Sequence, residues 1–322
     1  MPPRLSLRVS LRTVQAARFY STATAADSAA PLITVTHLPA PGSGHIRVLE
    51  LNRPSARNAI SKALLAQLRA EIDDVHAQYD EGGNELPPRK VFGGAAGVDA
   101  KGPTRAVILA SAVDTSFCAG ADLKERRGFT QEETNEFLTN LRATFTSLST
   151  LPVPTISAIS SVALGGGLEL ALSTSMRVLS SNAIVGLPET RLAILPGAGG
   201  THRLPALIGL SRARDLILTG RRVSAPEDKD VPGHREGEKP ADGAKQKLML
   251  ETARRGVLSE AVRVATEICE GGPIAVRAAL QAVGWAREEV ENKMYERVVA
   301  TDDRNEALKA FQEKRKPVFQ GR

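Results

Sequence analysis

The chain has 322 residues, an apolar fraction of 42% and a formal charge of +6. That length suggests about two domains and that composition a globular chain with a sizeable core. No apolar run approaches the roughly 18 to 20 uncharged residues that span a bilayer, and two cysteines, Cys118 and Cys269, are too few for a disulfide framework or a multi-cysteine zinc site, which suits a reducing compartment.

Much of the positive charge lies at the start. Arg4, Arg8 and Arg12 fall on one helical face among Leu5, Leu7, Val9 and Leu11, Arg18 follows, and no acidic residue precedes Asp27. An arginine-rich, acid-poor segment containing Ser and Thr reads as a mitochondrial transit peptide over residues 1–25, with Arg18-Phe19-Tyr20-Ser21 resembling a matrix-processing site. Removing its four arginines lowers the charge from +6 to +2, so the basicity is an address label rather than a footprint for a polyanion.

From residue 31 the pattern becomes that of an α/β domain. Ile33-Thr34-Val35 and His45 to Leu51 alternate apolar with polar and predict strands of a half-buried sheet. Ser61 is a plausible N-cap for an amphipathic helix that carries Leu64, Leu65, Leu68, Ile72 and Val75 and runs to about Tyr79. Residues 80–103 are rich in glycine, proline and charge and read as a surface insertion. Ala106 to Ala110 is a buried strand; Thr130 and Glu133 form a capping box for a helix to Leu148; Thr155 to Ile159 is the next strand. Met176 to Leu179 and Ala183 to Val185 are short strands, and the alternation implies crossover units in a largely parallel sheet. Residues 224–247 read as a second, polar insertion. Helices follow over Leu258 to Cys269, Pro273 to Ala286, Val290 to Val299 and Asp303 to Phe311.

The chemistry concentrates where glycines follow strands. Gly165-Gly166-Gly167 sits between a strand-like run and a helix-like segment, a place where backbone N–H groups without intrahelical partners can face another molecule. With the Phe117 to Asp122 loop it offers two amides, those of Ala121 and Gly166, that could converge as an oxyanion hole. Glu169 follows directly and Glu189 comes twenty positions later; two adjacent carboxyls resist joint ionisation and can divide the roles of base and acid. Cys118 has no histidine at recognisable spacing and reads as a core residue, His202 as a helix-start residue on the surface, and the scattered histidines imply no metal site.

Five segments together resemble the enoyl-CoA hydratase/isomerase (crotonase) superfamily: Phe117 to Glu125, Ala163 to Leu170, Pro188-Glu189, Pro196 to Thr201, and Asp302 to Lys316. Cys118 to Arg126 and Leu151 to Ile156 are most similar to its mitochondrial methylglutaconyl-CoA hydratase branch. The resemblance implies an α/β fold with a crotonase-like ββα spiral core over residues 31–223 and a helical, trimerising part over 248–322. It also implies trimers or hexamers, acyl-CoA thioester substrates, no cofactor beyond the coenzyme A that the substrate carries, and the mitochondrial matrix. In family terms Ala121 and Gly166 bind the thioester oxygen, Glu169 deprotonates water, Glu189 protonates the α-carbon and Gly197 helps to hold the water. Coenzyme A would meet Ala56, Arg57, Ala119, Asp122, Leu123, Tyr295, Phe311 and Lys314.

The implied activity is hydration of a 2-enoyl-CoA in fatty-acid or leucine breakdown. The alternatives are an isomerase of the same family, or a member without catalysis that binds RNA or keeps only the assembly. RNA is disfavoured because the helix from Ser61 offers only Lys62 and Arg69 against Glu71, Asp73 and Asp74. Three departures stand out. Ser160-Ser161 replaces a glycine-containing turn, with strain expected there if that turn needs positive φ, Thr174-Ser175 replaces a Cys-Asp pair, and the polar 224–247 segment replaces part of the expected acyl-pocket wall.

Overall fold

The structure, a computed structural model, describes residues 31–87, 101–224, 243–285 and 288–322. The transit-like segment, the middle of the 80–103 insertion and most of the 224–247 segment therefore lie outside the described residues.

Two sheets form the core. The first has five strands, β1 (Ile33–Pro39), β2 (His45–Leu51), β3 (Thr104–Ser111), β5 (Thr155–Ile159) and β7 (Met176–Leu179), side by side in that order. β1 is antiparallel to β2 and every other pairing is parallel. The second has four strands, β4 (Ser116–Cys118), β6 (Val162–Leu164), β8 (Ile184–Gly186) and β9 (Arg222–Ser224), with only β9 antiparallel. Sequence periodicity suggested one largely parallel sheet; β4 and β6, three residues each, are too short to declare a second one.

The half-buried reading of His45 to Leu51 is corrected by the structure: β2 is covered on both faces. Leu49, Leu51, Val107 and Leu109 point into one cluster with α1 (Lys62–His76) and α3 (Gln131–Ser149), while Ile46, Val48, Ala106, Ile108 and Ala110 point into the opposite one with α7 (Gly243–Cys269). A short helix, α2 (Leu123–Arg126), precedes α3. The polar positions of β2 survive burial by pairing: Arg47 meets Glu71 and Asp74 of α1, at 3.2 and 2.5 Å. On the α7 side, Val257, Ala261 and Ala265 repeat every fourth residue and lay small side chains against Ala106, Ala110 and Ala158.

Local chemistry sets the helix starts. Ser61 caps α1 through the Leu64 amide at 3.2 Å, and Thr130 and Glu133 close the expected capping box on α3. α7 begins well before Leu258, so residues 243–247 are helical rather than inserted loop. The charged, weakly patterned stretch Lys245 to Arg255 hides its period because little of it is buried. After it come α8 (Pro273–Trp285), α9 (Glu288–Val299) and α10 (Asp302–Gln312). The described start of the 80–103 insertion is anchored: Glu85 pairs with Arg105 and with Arg277 of α8. Ser160 and Ser161 are buried with no positive φ, so the turn they occupy carries no strain of the expected kind.

One buried residue ties the loop after β2 to the loop that leads to the site. Asn58, at φ 57° and fully buried, donates to Ser111 Oγ (2.8 Å) and the Phe117 carbonyl (3.0 Å), and its Oδ1 accepts from the Arg53 amide (2.7 Å). Its own carbonyl accepts from Cys118 Sγ at 3.0 Å, and burial pushes that thiol up to about 12, as a core cysteine requires. Asn58→Ala strands these partners and forces alanine into a left-handed conformation; roughly 2–4 kcal/mol of stability should be lost in urea unfolding. An unchanged midpoint would show that the loop is held by other means.

Candidate active site

β4, β6 and β8 are neighbours running in parallel, with Cys118 beside Ala163 and Leu164 beside Gly186. Their carboxyl ends therefore open on one side, the place where parallel α/β sheets put their ligands. After β4 comes the Ala119 to Asp122 loop; after β6, Gly165 and α4 (Gly166–Leu172); after β8, a 3₁₀ turn over Pro188–Leu192. Each expected catalytic group except Gly197 lies on one of these three exits.

The first two exits meet backbone to backbone. Gly167 packs so tightly on the end of β4 that a Cβ there would overlap the Cys118 carbonyl oxygen. A Cβ at Gly166 would stand 3.5 Å from the Ala121 nitrogen. Gly166 opens α4, so its N–H has no intrahelical acceptor. Ala121 bridges Ile60 in parallel, but that bridge uses the Gly120 carbonyl and the Asp122 amide. Among the described residues neither the Ala121 nor the Gly166 amide donates a hydrogen bond. Two adjacent unpartnered donors are what an oxyanion hole requires.

Two buried carboxyls flank them. Glu169, 2% exposed, accepts through Oε1 from the amides of Ala198 (2.8 Å) and Gly200 (2.9 Å). Burial raises its pKa, while those two hydrogen bonds and the charges of Arg203 and Arg142 oppose the rise. Glu189 is 8% exposed and its Oε2 has no hydrogen-bond partner. Burial first, and the Glu169 charge in addition, push its carboxyl up to about 7. Its turn is held from behind, by Thr190 Oγ1 on the Ile217 carbonyl (3.0 Å) and Arg191 Nε on the Thr219 carbonyl (2.9 Å), both in α6 (Leu210–Thr219). The carboxyl itself lies against Gly165, where a Cβ would come 2.9 Å from Glu189 Oε1.

The loop at 195–201 leads into α5 (Gly200–Ile208). Gly197 was expected to hold water; its carbonyl accepts from Arg142 Nε at 2.6 Å, and the loop amides that reach a carboxyl are those of Ala198 and Gly200. Sequence reasoning singled out this loop but missed those two residues, because which amide points at Glu169 is a property of the folded loop. His202 is exposed in the first turn of α5, as expected.

The residues expected to meet coenzyme A divide into two groups. Arg57, Ala119 and Leu123 are exposed around the oxyanion loops, with Ala56 alongside, and the Ala119 amide donates to the Arg57 carbonyl at 3.1 Å. Asp122 is turned inward: it caps α2 through the amides of Lys124 (3.0 Å) and Glu125 (3.2 Å) and pairs with Arg53 at 2.6 Å. Burial works against its charge, yet Arg53 and those amides outweigh it and hold the carboxyl below its ordinary range. Tyr295, 68% exposed, Phe311, 85% exposed, and Lys314 lie on α9, on α10 and just after it. No hydrogen bond, ion pair or ring contact among the described residues joins these three to the carboxyl site.

Known proteins are similar to this chain along most of its length. Residues 98–233 match the family described as enoyl-CoA hydratase/isomerase. The methylglutaconyl-CoA hydratase 1, mitochondrial, of Pyricularia oryzae is 62% identical over 99% of this chain and 97% of its own. The human methylglutaconyl-CoA hydratase, mitochondrial, is 37% identical over 90% of this chain and 77% of its own. An enoyl-CoA hydratase from Bacillus anthracis, solved by crystallography, superposes with a TM-score of 0.70 at 36% identity, covering 91% of this chain and all of that one. The two sheets and the paired carboxyls belong to a crotonase-fold protein. This chain belongs to the enoyl-CoA hydratase/isomerase family.

The two tight glycines should respond differently to a methyl group. Gly167→Ala pushes backbone into backbone and should yield no folded protein, or a loss of more than about 4 kcal/mol. Gly165→Ala meets only the end of a side chain, at φ 54°. It should fold at a cost of about 1–3 kcal/mol with the Glu189 carboxyl displaced. A crystal structure of that variant with Glu189 unmoved would contradict this account of the site.

Proposed function

We propose that this protein is a hydratase that adds water across the double bond of a 2-enoyl-CoA thioester, with 3-methylglutaconyl-CoA as its preferred substrate. The observation that carries the reading is the pair of unpartnered amides flanked by two buried carboxyls in different electrostatic states. The amides of Ala121 and Gly166 receive the thioester oxygen and stabilise the charge that it gains as the β-carbon is attacked. Glu169, whose charge is supported by two amides, takes a proton from water while the hydroxyl bonds to the β-carbon. Glu189, pushed up to about 7, keeps a proton near neutrality and delivers it to the α-carbon as the enolate collapses. The proton on Glu169 then restores Glu189, and water has been added without any other reagent.

A family isomerase needs only one carboxyl to carry a proton between carbons. Here a second carboxyl is held by dedicated amides, which favours hydration. Arg57, Ala119 and Leu123, with the backbone of Ala56 and Asp122, suit the mouth that the coenzyme A portion crosses. Tyr295, Phe311 and Lys314 complete that mouth in a trimer or hexamer, a reading supported by the exposed apolar side chains Tyr295, Val299, Leu308 and Phe311 on α9 and α10. No cofactor is needed by this chemistry. The matrix is the compartment we favour, on the composition of residues 1–25 and the mitochondrial names of the relatives; no described helix is long and apolar enough to cross a membrane. RNA is a poor partner for α1, whose Lys62 sits 4.3 Å over the Phe129 ring and near Glu133 and whose Arg69 pairs with Asp73 at 2.7 Å.

Hydration of crotonyl-CoA and 3-methylglutaconyl-CoA, followed as loss of enoyl-thioester absorbance, tests the reading. Glu169→Gln and Glu189→Gln should each lower kcat by about 10²- to 10⁴-fold while thioester binding persists; inactivity of the unaltered protein on both substrates would overturn it. The pH profile has a defined sign. Glu189 must be protonated to act, so kcat/KM should fall as pH rises through about 7. A rate that keeps climbing above neutrality would remove Glu189 from the acid role.

A further inference from the structure

The loop at 195–201 has two edges, and only one faces the reaction. Its amides at Ala198 and Gly200 point at Glu169 Oε1. Its carbonyls at Gly197 and Ala198 point the other way, to Arg142 Nε (2.6 Å) and Arg203 Nη1 (3.0 Å). Gly197 and Ala198 share a peptide unit, so one continuous path runs from the Arg142 guanidinium through that amide group to the Glu169 carboxylate. A cation on the carbonyl end of an amide polarises it and strengthens the N–H as a donor. Among the described residues Arg142 makes no ion pair, and the Gly197 carbonyl is its one hydrogen-bond partner. Its neighbours three and four positions away on α3 are Leu138, Thr139, Phe145 and Thr146, so no carboxylate on the helix competes with the loop carbonyl for its donor.

We propose that Arg142 is a positioning residue for Glu169: acting through the Gly197–Ala198 peptide, it fixes the orientation of that carboxyl and favours its charged form. The inference rests on the hydratase reading for its kinetic consequence, though not for its electrostatic one. Arg203 supports the same loop from α5 on the next carbonyl, but it is only partly exposed and its removal would also disturb packing. Arg142 is exposed on α3 between the buried Leu141 and the solvent face, which makes it the cleaner position to test.

The test compares Arg142→Met and Arg142→Lys with the unaltered full chain, measuring kcat and KM on crotonyl-CoA across pH, and Tm. Arg142→Met should lower kcat about tenfold, the loss expected for one charge-assisted hydrogen bond at a solvated site. KM should stay within about twofold and Tm within about 2 °C. Because the positive charge favours the ionised base, its removal should shift the acid limb of the kcat profile to higher pH. Arg142→Lys keeps the charge without the planar donor and should return that limb toward its original place. Arg142→Met with an unmoved acid limb overturns the proposal, whether kcat is unchanged or falls together with Tm as a purely structural staple would make it. If the unaltered protein hydrates nothing, the hydratase reading fails; carboxyl ¹³C titration of Glu169 then decides on Arg142, with an upward shift in Arg142→Met expected and no shift overturning it.

Discussion

The contact between Gly167 and the Cys118 carbonyl governs the rest. It leaves no room for a Cβ, and by bringing the start of α4 against the end of β4 it places the amides of two different crossovers side by side. Here the two free amides come from the exits of separate strands. β4 is parallel to β6, so both chains emerge in the same direction with their N–H groups still to be satisfied. Adding β8 on the far side of β6 brings a third exit to the same edge, and with it Glu189.

The two carboxyls differ because their surroundings differ, not because their residue types do. Both are buried among apolar groups, and burial raises both. Glu169 is compensated by two amides on one oxygen, while Glu189 keeps an oxygen with no partner and a like charge nearby. An oxygen left bare in a buried place is costly to keep charged, so the proton resides there first. The apparent pKa values belong to the pair. Even so, the asymmetry supports the roles proposed for them, base for the carboxyl held by two amides and acid for the bare one.

How much of this could be read from the sequence follows from where each signal originates. Features written in neighbouring residues were legible: the Ser61 cap, the Thr130 and Glu133 box, the apolar run at Thr155 to Ile159, and the glycines after β6. The closeness of the Ala121 and Gly166 amides was legible from loop position together with the family resemblance. What depended on distant chain segments was not. Asp122 looks like a ligand-facing carboxylate in sequence, but Arg53, 69 residues away, turns it into a structural cap. Nothing near Glu169 announces Ala198 or Gly200, which are 29 and 31 residues downstream. The early start of α7 was hidden for a different reason: a helix whose first turns bury little carries no apolar period to detect.

The polar stretch after β9 bears on whether the site is intact, and topology limits its reach. β9 is the edge strand of the smaller sheet and pairs with β8 through Val185 and Val223. The polar departure from the family pattern begins beyond Ser224, after that pairing is complete. β4, β6 and β8 have by then delivered every proposed catalytic group, and the turn bearing Glu189 is fastened to α6, which also precedes the departure. The departure at Thr174-Ser175 is satisfied locally, since Thr174 Oγ1 reaches Ser157 Oγ at 3.0 Å and Ser175 Oγ meets Thr155 Oγ1 at 3.1 Å. A change placed after the last strand of a sheet leaves the donors and carboxyls where the earlier strands put them.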